Sequence, residues 1–284
     1  MLTDMPDPQQ LAEELGSLIK AAQAGDIEAQ TSLGLLLVTK VDPPELAQAR
    51  GWWTKAAQAG HTGAQYNLGL LLVTLQPPEL AEARTWYTKA AQADHTGAQR
   101  NLGLLLATML HPPETAEART WFTMAAQAGD IEAQTSLGTL LVTLLDPPEL
   151  AEARIWWTKA AQAQDTNAQY NLGMLLATRL DPPELAEARS WLTKAAQAGH
   201  TEAQDELGRL LANMLNPPEL AEARSWWTKA AQAGHTGAQY SLGLLLATRL
   251  DPPELAEARS WWTKAAQAGH IAAQEALANT GNAE

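Results

Sequence analysis

Residues Asp181–Asn216 read DPPELAEARSWLTKAAQAGHTEAQDELGRLLANMLN, and at Pro217-Pro218 the phrase starts again. The Pro-Pro pair stands at Pro43, Pro77, Pro112, Pro147, Pro182, Pro217 and Pro252, a step of 34 residues once and 35 thereafter. Self-similarity at such a period decides the fold before any other feature does, because each unit must bury its apolar face on its neighbours.

Each unit holds two helical stretches. Helix A is the kind of stretch seen at Thr62–Thr74; helix B is expected over Pro77–Ala93. Asp42-Pro43-Pro44-Glu45 and its counterparts at Asp146, Asp181 and Asp251 read as helix B starts, with Asp as cap, Pro in the first turn and Glu reaching back. Gln76, His111 and Asn216 replace the Asp elsewhere, and His is the weakest of these caps. Gly25, Gly60, Gly129, Gly199, Gly234 and Gly269 end helix B in the manner of a left-handed cap, with Asp94 and Gln164 departing from glycine.

On a helical wheel Leu46, Ala49, Trp53, Ala56 and Ala57 share one arc of helix B, with Arg50, Thr54, Lys55 and Gln58 opposite. Helix A buries Ala64, Leu68, Leu71 and Leu72 against helix B, and Gly69 beside them permits close approach. Tyr66, Asn67, Leu70 and Thr74 share a second arc. Helices this short are marginal alone, so stability comes from stacking.

At the start, residues 1–6 read as a frayed leader. Asp7-Pro8-Gln9-Gln10 reads as a capped helix start, and Glu14 makes this first B-like copy more polar. At the end, Ile271–Asn279 is a partial helix A with a polar tail. The expectation is an all-α, right-handed α/α solenoid forming one array. It has an N-terminal cap (1–26), seven repeats (27–270) and a C-terminal cap and tail (271–284).

The totals narrow the function. The chain has 284 residues, a net charge of −13 and a pI near 4.9. Sequence-independent binding to nucleic acid needs clustered Lys and Arg, so nucleic acid is not expected as a partner, nor an anionic membrane. With no cysteine, disulfides, thiolate nucleophiles and cysteine-based metal sites are excluded. No apolar run approaches the ~18 residues of a membrane span, and no signal peptide is visible, so a soluble cytoplasmic protein is expected.

The unit resembles the SEL-one-like repeat, a relative of the tetratricopeptide repeat. Ala168, Leu172, Gly173 and Leu176 carry the resemblance on helix A; Leu185, Ala188, Trp191, Ala195, Ala196 and Gly199 carry it on helix B. Leu72 and its equivalents stand where that family prefers Tyr. The resemblance implies a superhelix whose concave surface is lined by A helices, and a role as an adaptor for proteins or peptides.

Comparing units within the chain points to a ligand groove on that surface. The Tyr66 position reads Thr31, Tyr66, Arg100, Thr135, Tyr170, Asp205, Tyr240, and the Leu70 position reads Leu35, Leu70, Leu104, Thr139, Met174, Arg209, Leu244. Leu68, Gly69 and Leu72 barely change. A face that is partly apolar yet differs between units suits a groove; the bland reading is a solvated face. Within it, Asp205, Glu206 and Arg209 form the one charged departure.

The other candidates have plainer readings. The second members of the aromatic pairs, such as Trp53 and Trp227, belong in the core, and the first members, such as Trp52, bridge to an adjoining unit. His61, His95, His200, His235 and His270 occupy one equivalent position, shared elsewhere with Asp26, Asp130 and Asp165, which suggests capping. One His per unit is too sparse for shared metal ligation. Glu82, Glu152, Glu187, Glu222 and Glu257 read as a solvated face. No catalytic constellation or cofactor site rises above the repeat pattern. The expected function is a non-catalytic scaffold for a protein or peptide, as a monomer, with end-to-end stacking of the complementary half-units as a variant. The alternative is a structural or engineered array without a ligand.

Overall fold

In the computed structural model, residues 8–281 are described. The leader, the Asp7 cap, the Glu14 side chain and the tail beyond Gly281 lie outside the described residues. Sixteen α-helices and no strands are present among them. The B helices are α1 (Pro8–Gln23), α3 (Leu46–Gln58), α5 (Leu80–Gln92), α7 (Thr115–Gln127), α9 (Leu150–Gln162), α11 (Leu185–Gln197), α13 (Leu220–Gln232) and α15 (Leu255–Gln267). The A helices are α2 (Ile27–Thr39), α4 (Thr62–Thr74), α6 (Thr96–Leu104), α8 (Ile131–Thr143), α10 (Thr166–Thr178), α12 (Thr201–Arg209), α14 (Thr236–Thr248) and α16 (Ile271–Gly281). The chain divides into two compact units, 1–140 and 141–284, and the division falls inside α8. In each unit, successive helices pack against one another.

The interior follows the apolar pattern. Ala64, Leu68, Leu71 and Leu72 of α4 are buried, as are Ala49, Trp53, Ala56 and Ala57 of α3. Each such leucine contributes roughly 1.5–3 kcal/mol by leaving water, which a thirteen-residue helix alone cannot match. The small residue after each buried leucine has a specific task. A Cβ on Gly69 would lie 2.6 Å from the Tyr87 ring, and one on Gly208 would lie 2.7 Å from Trp227. The aromatic of helix B therefore lies directly on the backbone of helix A. Where it is Trp, its indole N–H also donates to that backbone: Trp53 to Thr31 O at 3.1 Å and Trp227 to Asp205 O at 3.1 Å.

Helix B ends as expected. The N–H of Gly60 donates to Ala57 O and that of His61 to Ala56 O, the bonding pattern of a Schellman cap. Asp94 and Gln164 take up the same left-handed backbone, at φ 58° and 68°.

Helix B does not start as expected. It begins at Leu80, not Pro77, and Glu79, which stands at its N-cap, makes no side-chain cap. The preceding X–Pro bonds are cis. The physical reason for the later start is a competing bond. The Glu79 N–H donates back to Leu72 O on α4 at 2.9 Å, and Glu45, Glu114, Glu184, Glu219 and Glu254 do the same in their hairpins. Thus the Pro-Pro-Glu turn closes onto helix A, and His111 has no cap to weaken.

Two A helices end in a wider turn. Beyond α6 and α12 the chain continues as π-helix, Leu105–Met109 and Leu210–Met214, with Leu110 N bonded to Leu105 O and Leu215 N to Leu210 O. Such turns are frequently associated with functional positions.

Candidate functional site

The outer arc of the A helices divides into two rows with different fates. The row of Leu70 stays open. Leu35, Leu70, Leu104 and Leu244 are 50%, 43%, 45% and 43% exposed, Thr74 and Thr139 are exposed, and Met174 and Arg209 are half-buried. No helix of their own unit covers these leucines, because the wheel turns them away from helix B.

The row of Tyr66 does not stand free. Tyr66 stacks on His95 with ring centroids 4.6 Å apart, Tyr170 on His200 at 4.8 Å and Tyr240 on His270 at 4.7 Å. Arg100 pairs with Asp130 at 3.0 Å and with Glu132 at 2.9 Å. Asp205 Oδ2 lies 3.5 Å from His235, and Thr31 Oγ1 lies 3.2 Å from His61. Each partner is the residue that opens the next A helix. Tyr and Thr meet His, Arg meets Asp, and Asp meets His. The position therefore works as a joint between repeats, each side chain meeting one about thirty residues downstream.

The histidines at these joints do cap, as expected. His61 Nδ1 accepts the N–H of Ala64 at 3.0 Å, and Asp26 Oδ1 accepts that of Ala29 at 2.9 Å. Burial pushes the Asp205 carboxyl above its ordinary value against the pull of His235, and burial holds His95 below the ordinary histidine value.

The carboxylates of helix B reach solvent, as expected, but they are paired across repeats. In unit 1 the guanidinium of Arg50 takes both oxygens of Glu79 (2.8 and 2.7 Å) and one of Glu82 (2.9 Å); Arg84 does the same with Glu114 and Glu117. In unit 2, Arg154, Arg189 and Arg224 bind Glu184 and Glu187, Glu219 and Glu222, and Glu254 and Glu257. The same Glu82, Glu152, Glu187, Glu222 and Glu257 accept the indole N–H of the Trp four residues on, such as Trp86 at 3.2 Å. A lysine then covers the ring, as Lys89 does Trp86 at 4.3 Å. The first aromatic thus reaches its neighbour through a shared glutamate. Hydrogen bonds from arginine hold Glu79, Glu114, Glu184, Glu219 and Glu254 below the usual carboxylate range. Their contribution is present at neutral pH and is lost as pH falls through those lowered values.

Reasoning from sequence also missed a glutamine. Gln30, Gln65, Gln99, Gln134, Gln169, Gln204 and Gln239 are buried. Each donates its amide back to the end of the preceding helix B, Gln65 to Ala57 O at 3.2 Å for example. Its recurrence on the buried side of every A helix was the available signal.

In unit 2 the open row borders a cleft of about 140 Å³ lined by Arg209, Asn213, Trp227, Ser241, Leu244 and Arg249. Two residues expected in the groove, Arg209 and Leu244, meet here. Glu206 holds Arg209 at 2.6 Å, and Arg249 donates to Asn213 Oδ1 at 2.9 Å. Asn213 sits in the π-helical turn, where most other units carry Thr. The floor is apolar and the rim cationic, in a chain of strongly negative net charge. A larger open hollow of about 540 Å³ lies over the ends of α9 and α11, among Gln162, Gln164, Gln197, Trp191 and Lys194, away from the A-helix row.

Among the described residues no three His, Asp or Glu side chains converge in a metal-holding group, and no helix is long and apolar enough to cross a membrane. The arrangement offers a surface to touch.

Comparison with known proteins agrees with this architecture. The chain superimposes on a Sel1 repeat protein from Oxalobacter formigenes with a TM-score of 0.75 and 27% identity, over 98% of this chain and 83% of that one. YrrB, described as a TPR protein with an unusual peptide-binding site, gives 0.50 and 25%, over 66% of this chain and 96% of its own. The protein c5321 of uropathogenic Escherichia coli, a protective antigen with an SLR fold, gives 0.50 and 26%, over 93% and 66%. No curated protein sequence matches. The Sel1 repeat model matches residues 28–61, 62–95, 96–130, 131–165, 166–200, 201–235 and 236–270, and with those seven copies the chain belongs to the Sel1 repeat family.

Proposed function

We propose that the protein is a non-catalytic adaptor that binds a protein or peptide segment along the outer face of its A helices. The observation that carries this reading is the open row: Leu35, Leu70 and Leu104 in unit 1, and Met174, Arg209 and Leu244 in unit 2. Leucine kept at 43–50% exposure in repeat after repeat leaves apolar surface in water at a cost that a contact would recover. Thr74 and Thr139 complete the row as hydrogen-bonding positions. Tyr66, Arg100, Tyr170, Asp205 and Tyr240 shape its floor from the joints and present the edges of their side chains. YrrB, at 25% identity, supports a peptide as the class of ligand, since a peptide-binding site is what its description states. The cationic rim at Arg249, whose guanidinium rests on Asn213, favours a segment with an acidic residue among apolar ones.

The test is selection of peptides from a displayed library on the intact protein, followed by Leu70→Asp, Leu104→Asp and Leu244→Asp in one variant. A charge at an exposed position leaves helicity unchanged. Selected peptides are expected to lose binding to the variant by at least ten-fold. Undiminished binding, with the circular dichroism intact, would place the contact elsewhere.

A further inference from the structure

Five A helices open on a histidine ring. Nδ1 of His61, His95, His200, His235 and His270 accepts the N–H of Ala64, Ala98, Ala203, Ala238 and Ala273 at 3.0, 3.1, 3.2, 3.1 and 3.3 Å. Three others open on Asp26, Asp130 and Asp165, which accept at 2.9, 2.8 and 2.7 Å. The two kinds of cap differ in one chemical respect. A carboxylate keeps its lone pairs down to acid pH. An imidazole accepts only while that nitrogen is unprotonated; the imidazolium is a donor on both sides. It also places a positive charge at the positive end of the helix dipole.

What faces each ring decides the cost of protonation. His61 meets Thr31 and, through Nε2, Glu28 at 3.1 Å. His200 meets the Tyr170 ring, with Glu202 3.3 Å from Nδ1. His235 meets Asp205 at 3.5 Å. In these three an acid is in place to receive the charge, so a lost cap is exchanged for an ion pair. His95 and His270 face phenol rings instead, Tyr66 at 4.6 Å and Tyr240 at 4.7 Å.

We propose that His95 is a proton-sensitive joint, at which protonation releases the first turn of α6 together with Tyr66 of the preceding repeat. Mild acid then loosens the array at this place and spares the caps built on Asp26 and Asp130. For His95 the sign is fixed by its environment: burial lowers its folded value. Its contribution is complete above the unfolded histidine value of about 6.5 and is lost as pH falls through the lowered folded one. The released joint lies beside Leu70, which makes the open row the surface that such loosening would disturb.

Amide hydrogen exchange on the intact protein at pH 7.5 and 5.5, corrected for intrinsic rates, tests the proposal. Protection of Gly97–Gln99 is expected to fall on the order of five-fold at the lower pH, the size of one lost cap. That of Glu28–Gln30, behind Asp26, is expected to stay constant. In His95→Asn, a cap that does not titrate, the pH response of Gly97–Gln99 is expected to vanish. A fall of equal size in wild type and His95→Asn, or no fall at all, overturns the proposal. Ring NMR of the wild type keeps the test open should that variant fold poorly. The Ala98 amide signal is expected to move with the titration of His95, and movement without it sinks the idea.

Discussion

Helices α4 and α12 have the same inside and different outsides. Both bury Ala, Leu and Leu on one face (Ala64, Leu68 and Leu72; Ala203, Leu207 and Leu211) beside a glycine under an aromatic side chain. Outward, α4 shows Tyr66, Asn67, Leu70 and Thr74, whereas α12 and its π-helical turn show Asp205, Glu206, Arg209 and Asn213. The difference teaches that two kinds of variation coexist on one helix. Tyr66 and Asp205 each meet a histidine of the next repeat, His95 and His235, so that variation is absorbed by the joint. Leu70 and Arg209 change with no partner on the next repeat, and that variation faces outward.

The comparison breaks first if the shared interior is not equally important in both places. Tyr87→Ala and Trp227→Ala each empty the slot over a helix A and are expected to cost about 3–5 kcal/mol in urea unfolding. Next, Gly69→Ala and Gly208→Ala drive a methyl into a ring and are expected to lose about 1–3 kcal/mol each by the same measurement. A loss in one helix and none in the other would mean the two insides differ after all.

Smaller effects sharpen the contrast. Asp94→Gly and Gln164→Gly relieve a left-handed backbone at positions where six other units have glycine, and should raise stability by about 1 kcal/mol, read as a higher midpoint. Finally, Leu70→Ser and Arg209→Ser are expected to stay within about 0.5 kcal/mol of the parent, because nothing in the interior rests on them. A larger loss at either position would show that the open row is part of the packing, and the proposed binding face would lose its basis.

Much of this was legible beforehand. The buried arc of α3, the glycine against Tyr87 and the left-handed ends of helix B follow from a period of thirty-five residues imposed on a period of 3.6. The histidine caps followed from their exchange with Asp. What escaped were bonds between positions one repeat apart. Asp42-Pro43-Pro44-Glu45 has the spacing of a capping box, but Leu37 O and, in the next hairpin, Arg50 compete for the same glutamate groups, and the nearer geometry wins. Tyr66 read as a free groove residue because a wheel shows one helix and no neighbour. Arg100 with Asp130 where Tyr66 has His95 was visible in the chain, and it marks a joint only once the two positions are known to touch.

The sequence by itself determined which residues are inside, because burial is set by apolar periodicity within a single helix. Only the tertiary structure decided which polar residues are partners, because a hydrogen bond or an ion pair depends on a few tenths of an ångström between residues thirty apart. That distance is fixed by how one hairpin seats on the next.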